Sequence, residues 1–260
     1  MANLPFKYDP RFRKNKGFAV TGAKLIRILT CVAMCLQISC DEGDRRDFSI
    51  RDYEYYPLVT GNYYIYDVEE IRYVLSEPET LRYELRHIIS DSFPSDAGGF
   101  TYVISRSQRF PPESGWTQLE TWSARRRNNE ILLWEGNVPY LVLNFPLKES
   151  MSWDANLYNV ETNRFSGERT DLFSIIETGA TVPLNEVSYP DCIIVEQEDS
   201  MDPILYTDFR QETYARNIGL IAKTFIQLEY CSNENRGCVG KQIIDSGIKY
   251  TQILKAYGRE

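Results

Sequence analysis

The cysteine at position 40 is the residue whose surroundings most clearly indicate chemistry. It follows Ser39 and a short apolar run, and Lys24 and Arg27 precede that run. A basic flank, a short apolar core and a small residue at the cut are typical of a secretory signal. A cysteine directly after the cut can be acylated and become the new N-terminus. The sequence therefore predicts a signal peptide over residues 1–39 and lipid attachment at Cys40.

Two other outcomes stay open for this segment: cleavage without lipid, and an uncleaved anchor. The anchor is the less favoured, because the apolar run from Ile28 to Ile38 is shorter than the ~20 apolar residues that a spanning helix needs. Gln37 departs from the usual lipoprotein pattern, which carries leucine three residues before the cysteine. The basic stretch before Lys24 is long for the start of a signal and indicates a start site assigned too early.

Two further cysteines, Cys231 and Cys238, enclose the polar, turn-rich loop S-N-E-N-R-G. A bond between them would stabilise the fold by about 2–3 kcal/mol on the chain-entropy model, and exported proteins commonly contain disulfides. We predict this disulfide, with free thiols as the alternative. Zinc would need about two more ligands, and the chain has one histidine. Cys192, beside the apolar run I-I-V, is predicted to be a buried thiol.

The single histidine, His87, is the obvious candidate for a general base. It shares one face of an alternating segment with Tyr83, which favours a hydrogen-bonded histidine in a core or cavity wall. The sequence contains no nucleophile elbow, phosphate loop, dinucleotide fingerprint or metalloprotease helix. Asp199, Asp202 and Asp208 lack the spacing and glycine of a calcium loop. We therefore expect no catalytic residue, no metal site and no cofactor, and predict that the protein is not an enzyme.

The elements that position these residues are predicted to be strands. Between residues 81 and 89, apolar and aromatic residues alternate with charged ones, and a helix would scatter them around its circumference. The other strand-like runs are short and separated by glycine, proline and asparagine, without sustained helical periodicity. The predicted strands are 63–68, 81–89, 100–105, 116–125, 131–134, 140–145, 157–160, 170–177, 192–198, 209–215, 220–230 and 249–257.

These strands predict an all-β fold: a single antiparallel domain built as a curved sheet, a half-barrel or a sandwich. The domain is expected to span residues 56–260, after an acidic tether over residues 40–55. Residues 1–39 hold seven basic residues and one acidic residue, so the mature chain has 22 basic (29 less 7) and 36 acidic residues (37 less 1). Its net charge of −14 (22 minus 36) argues against nucleic acid and against adhesion to anionic lipid.

Several segments, among them Y-Y-P-L-V-T-G-N-Y-Y-I-Y and E-T-Y-A-R-N-I-G-L-I, resemble those of Bacteroidota outer-membrane and cell-surface lipoproteins that have no assigned activity. In that family a "PL..G..W.Y" opening strand recurs, and here Tyr64 stands where tryptophan is commoner. The acidic run after Cys40 also resembles their export signal. The resemblance implies export, an outer-membrane location at the cell surface and an all-β fold. It implies no catalytic residue.

Three functions follow as hypotheses. The first is a lipid-anchored, non-enzymatic binding or accessory subunit of an outer-membrane protein complex. The second is a carrier that encloses a lipid or other apolar ligand in an aromatic-lined cavity, with Tyr83 and His87 on its wall. The third is a glycan-binding or glycan-acting protein that uses Trp116, Trp122 or Trp134. The possible ligand-facing residues are thus Tyr83, His87, Trp116 and Trp122.

Overall fold

The computed structural model describes residues 52–96, 98–112 and 115–260, which belong to one compact unit. The predicted signal peptide, Cys40 and most of the predicted tether lie outside the described residues. Within the described part of the chain, no helix is long and apolar enough to span a membrane.

The described residues form twelve strands and two short 3-10 helices, Tyr53–Tyr55 and Glu234–Arg236. The strands are β1 (Asn62–Val74), β2 (Glu77–Pro94), β3 (Phe100–Arg109), β4 (Thr117–Arg127), β5 (Glu130–Glu135), β6 (Val138–Asn144), β7 (Ser152–Asp154), β8 (Leu172–Leu184), β9 (Val187–Asp202), β10 (Tyr206–Ala215), β11 (Gly219–Tyr230) and β12 (Ile244–Arg259).

All twelve strands belong to one antiparallel sheet, which is nearly closed into a barrel. The first strand, β1, pairs with the last, β12, so the two edges of the sheet are β6 and β7. These edges meet: the Leu141 N–H donates to the Ala155 carbonyl at 2.9 Å, and Trp153 Nε1 donates to the Leu141 carbonyl at 2.8 Å. The predicted all-β fold is confirmed, as a curved and nearly closed sheet.

Because apolar and polar residues alternate along the strands, the apolar side chains pack together in two groups. The larger group includes Ile131, Leu143 and Ile175, each with no exposed surface. The smaller contains Tyr66 and Leu85 at 2% and 1% exposure. Fully burying one such side chain contributes about 1.5–3 kcal/mol, so these groups supply much of the favourable free energy of folding.

Two segments differ from the sequence-based expectation. Residues 157–160 form a turn and not a strand, because Asn156 and Asn159 hydrogen-bond to nearby backbone there. Tyr53–Tyr55, expected in the tether, form a 3-10 helix in which Tyr55 is buried. The folded domain therefore includes residues that precede position 56.

The cysteines of the domain lie as the sequence suggests. Cys231 and Cys238 are joined in a disulfide, with their Cα atoms 5.7 Å apart. Cys192 is a free, buried thiol, and burial raises its pKa. Because the thiolate is the reactive form, the pKa shift keeps this thiol inert.

Candidate ligand-binding site

A cavity of about 360 Å³ lies inside the sheet. This volume falls within the range of about 300–1,000 Å³ that is common for small-molecule sites. Most of its wall is aromatic or aliphatic. The apolar and tyrosine side chains that line it include Tyr64, Tyr66, Ile89, Ile104, Leu133, Tyr140, Val142, Phe173, Tyr214 and Phe225. The sheet is therefore hollow, with an interior suited to an apolar molecule.

Four adjacent strands place a line of polar side chains on one wall of this cavity. Glu212 of β10 pairs in register with Lys223 of β11, and Lys223 pairs with Gln252 of β12. Gln197 of β9 extends the line through a side-chain hydrogen bond to Glu212. We call these four residues the polar row. All four line the cavity.

An ion pair stands at the centre of the polar row. Lys223 Nζ lies 2.8 Å from Glu212 Oε1, and the Tyr214 hydroxyl donates to the other carboxylate oxygen. Burial by itself would raise the pKa of Glu212, but Lys223, Tyr214 and Gln197 together hold it below its ordinary value. Burial by itself would lower the pKa of Lys223, but the nearby carboxylates of Glu212 and Glu135 raise the pKa of Lys223 above its ordinary value. Both groups are therefore ionised.

Glu135 faces the polar row from the opposite wall. It is the last residue of β5, the second strand in the order of the sheet, whereas Lys223 is on β11, the eighth strand. In a sheet of twelve strands that is nearly closed, strands six positions apart lie on opposite sides of the interior. Burial raises the pKa of Glu135, and the charge of Lys223 acts in the opposite direction. No side chain or backbone group in the described part of the chain hydrogen-bonds to its carboxylate. Glu135 therefore offers oxygen atoms on the cavity wall that a ligand can contact.

His87 and Trp122 form the wall between these two sides. Arg106 Nε donates to His87 Nε2 at 3.0 Å, and the Arg106 guanidinium stacks on Trp122, 3.6 Å from the ring centroid. Burial, assisted by the charges of Arg106 and Lys223, lowers the pKa of His87 well below its ordinary value. His87 is therefore neutral and accepts a hydrogen bond at Nε2, so that Nδ1 carries its proton.

The other two predicted ligand-facing residues lie away from the cavity. Tyr83 lies on β2 four residues before His87, and its hydroxyl donates to Glu70 of β1 at 3.1 Å. Trp116 is covered by the guanidinium groups of Arg86 and Arg109, at 4.6 and 4.5 Å from its ring centroid. Neither residue lines this cavity, because side-chain partners on the sheet contact both, and ligand contact by Tyr83 or Trp116 stays a prediction.

The three tryptophans of the glycan hypothesis do not share a groove in the described part of the chain. Trp134 pairs with Ser123, and Ser123 follows Trp122 in the same strand. Successive strand residues point to opposite faces, so Trp122 and Trp134 lie on opposite sides of the sheet. Trp122 lines the interior, and no common sugar-stacking surface results.

The residues that give the cavity its polar character were not identified from the sequence. They include Glu135, Glu212, Lys223 and Gln252, and also the charged residues Glu161, Arg164, Asp171 and Arg210. A signal for one of them was present: Lys223 lies two residues before Phe225 and therefore on the same face of its strand, so that a charge falls on a face that also carries an aromatic side chain. Which strands would place partners beside that charge depends on the order of the whole sheet.

No protein-family model matches the chain, and no curated protein matches it at a significant level. Two solved structures are similar to it. One, from Bacteroides fragilis, is described as an exported protein with a YmcC-like fold; it is 13% identical, with a TM-score of 0.38, over 78% of this chain and 98% of its own. The other, described as a lipoprotein from Parabacteroides distasonis, is 12% identical over 78% and 98% of the two chains, with a TM-score of 0.41. Similarity at this level carries no argument about function or location.

Proposed function

We propose that this domain is a non-enzymatic binding module that holds a small, largely apolar ligand inside its sheet. The observation that carries the proposal is the hollow interior of about 360 Å³ with its wall of aromatic and aliphatic side chains. Apolar side chains around an open volume lose the contacts that a packed core would give them. A ligand that fills the volume restores those contacts and removes apolar surface from water.

The proposal corresponds to the second hypothesis, the carrier. The glycan hypothesis finds no support in the placement of the tryptophans. A partner protein at the outer membrane, the first hypothesis, stays a prediction and is compatible with a ligand-binding domain.

Filling the cavity by mutation is expected to abolish binding of an apolar probe. Val142 lines the cavity and is 7% exposed, so Val142→Trp places an indole in the space that a ligand would take. The test is the fluorescence of the neutral, apolar fluorophore N-phenyl-1-naphthylamine titrated with the purified protein. We expect saturable enhancement with the natural sequence and an affinity at least about tenfold weaker with Val142→Trp, a loss of ~1.4 kcal/mol.

The matched control is Val160→Trp, because Val160 is 74% exposed and lies outside the cavity. Circular dichroism and urea unfolding show whether both variants fold. Equal probe binding by the natural sequence and a folded Val142→Trp would exclude this cavity as the binding site. Failure of the natural sequence to bind the probe would reject the proposed function.

We also propose that lipid at Cys40 holds this binding module at a membrane. The support is the signal pattern of residues 1–39 and the acidic segment that follows it. Two or three acyl chains, at about 0.8 kcal/mol per buried methylene, anchor a protein durably. We expect mass spectrometry of the mature N-terminus to find an acylated Cys40, and no acylation after Cys40→Ser. A peptide that runs intact through position 40, or an unmodified cysteine there, contradicts the anchor.

A further inference from the structure

Polar atoms without partners mark where the polar part of a ligand belongs. Within the described part of the chain, Gln252 Nε2 and Trp122 Nε1 are buried donors with no acceptor. Gln252 is 3% exposed, and both residues line the cavity. Buried polar groups in folded proteins almost always have a hydrogen-bond partner. Two unpaired donors at one cavity are therefore positions at which oxygen atoms of a bound molecule would be stabilised.

On the opposite wall, Glu135 lacks a hydrogen-bond donor among the residues that the structure describes. The carboxylate of Glu135 receives no hydrogen bond from a described residue, although it lines the same cavity. The side-chain oxygens of Glu135 accept hydrogen bonds, so a ligand that fits the site brings a donor to Glu135 and acceptors to Gln252 and Trp122. A hydroxyl group does both. It also reproduces the donor and acceptor pattern of the water that it displaces, which limits the desolvation cost of binding.

The charges around the cavity argue against an ionised ligand. Lys223 and Glu212 already neutralise each other at 2.8 Å. The two arginines that line the cavity are also paired, Arg210 with Asp171 and Arg164 with Glu229, and Arg106 behind the wall is paired with Glu120. A carboxylate ligand brings no donor for Glu135 and would share the cavity with the ionised Glu212. An ammonium ligand offers no acceptor to Gln252 and would lie near Lys223. An added charge in this largely apolar site would therefore be poorly compensated.

We propose that the ligand is an uncharged amphiphile: an apolar body held by the aromatic wall, with a hydroxyl-bearing end between Glu135 and Gln252. This inference rests on the proposed function and adds the chemical class of the ligand to it.

The test compares three molecules with the same ten-carbon body and different ends. They are decane-1,2-diol, decanoate and decylammonium, each used at pH 7 to displace N-phenyl-1-naphthylamine from the protein. We expect the diol to bind about tenfold or more tightly than either ion. Weaker displacement by the diol than by decanoate or decylammonium would overturn the ligand class while leaving cavity binding intact. Bound fluorophore that none of the three displaces would also overturn it, whereas a fluorophore that never binds rejects the proposed function itself.

Two substitutions test whether Glu135 and Gln252 cause the expected preference for the diol. Glu135→Gln keeps the size of the side chain and replaces one acceptor oxygen with an amide group that cannot accept, so we expect about a tenfold loss of diol affinity. Decanoate, which brings no donor, should lose no affinity. Gln252→Leu removes the unpaired donor, and we expect about a fivefold loss for the diol. Glu186→Gln, on the exposed β8–β9 turn, is the control. Unchanged diol affinity in both folded cavity variants would contradict the proposed placement of the hydroxyl groups.

Discussion

Replacing Lys223 with methionine is expected to destabilise the domain by about 3–5 kcal/mol. The side chain of Glu212 is 7% exposed, and Lys223, at 2.8 Å, is its charge partner. Removing the ammonium leaves a buried carboxylate with its hydrogen bonds from Tyr214 and Gln197 but without its charge partner. Methionine has nearly the same length as the lysine stem and keeps its packing, so the loss reports the charge. Urea unfolding at pH 7, followed by circular dichroism, measures it.

A second variant separates the lost charge from lost packing. In Lys223→Met combined with Glu212→Gln, the charge of Glu212 is removed together with that of its partner, and we expect most of the stability to return. Lys241→Met is the control for the substitution itself, because Lys241 is exposed, and its effect should stay within about 0.5 kcal/mol. If the unfolding free energy of Lys223→Met lies within about 1 kcal/mol of that of the natural sequence, Lys223 and Glu212 are not energetically coupled as we propose.

The free energy of unfolding of Lys223→Met is expected to depend on pH differently from that of the natural sequence. With Lys223 present, the pKa of Glu212 is lower in the folded state than its ordinary value. Its contribution to stability is therefore complete above the unfolded-state pKa of about 4.3 and is lost as pH falls through the folded-state pKa. Without Lys223, burial raises the folded-state pKa of Glu212. The stability difference between the two proteins should consequently shrink from pH 7 toward pH 4.

The strands themselves could be predicted because their signal is local. In β2, Leu85 is buried and Arg82 is exposed, as the alternation between residues 81 and 89 requires. The prediction failed at residues 157–160, where apolar residues resemble a strand. There the side chains of Asn156 and Asn159 hydrogen-bond to backbone groups, with Asn156 Nδ2 donating to the Arg169 carbonyl at 3.0 Å. Such side-chain bonds compete with a strand ladder and favour a turn.

The cavity could be proposed from the sequence but not located, because it depends on contacts between distant parts of the chain. The interior closes only where β1 meets β12 and where β6 approaches β7. Placing Glu212, Lys223 and Gln252 side by side requires the register of three strands. One residue of slip would turn each of these side chains to the other face. His87 was placed on a wall by its alternation alone, whereas Glu135 needed the complete sheet.

Replacing Gly247 with alanine is expected to cost about 4 kcal/mol or more, a large part of the roughly 5–15 kcal/mol that stabilises an ordinary domain. Gly247 has a φ of +127°, and an ideal Cβ there would lie 2.1 Å from the Gln227 carbonyl oxygen and 2.8 Å from Leu228 Cα. Both obstructing atoms are backbone, so no side-chain rotation relieves the overlap. Relief requires β11 and β12 to separate where Leu228 pairs with Gly247.

The position of that pairing makes the effect global. Strand β12 joins β11 to β1, so a separation there opens the sheet between its two halves and disturbs the wall that carries Lys223. Gly136→Ala is the matched control, because Gly136 also has a positive φ of +62° but no atom within 4 Å of the added Cβ. We expect it to cost only about 1 kcal/mol, from the left-handed backbone conformation alone. Similar urea midpoints for the two variants would show that β11 and β12 can separate at Gly247 at little cost.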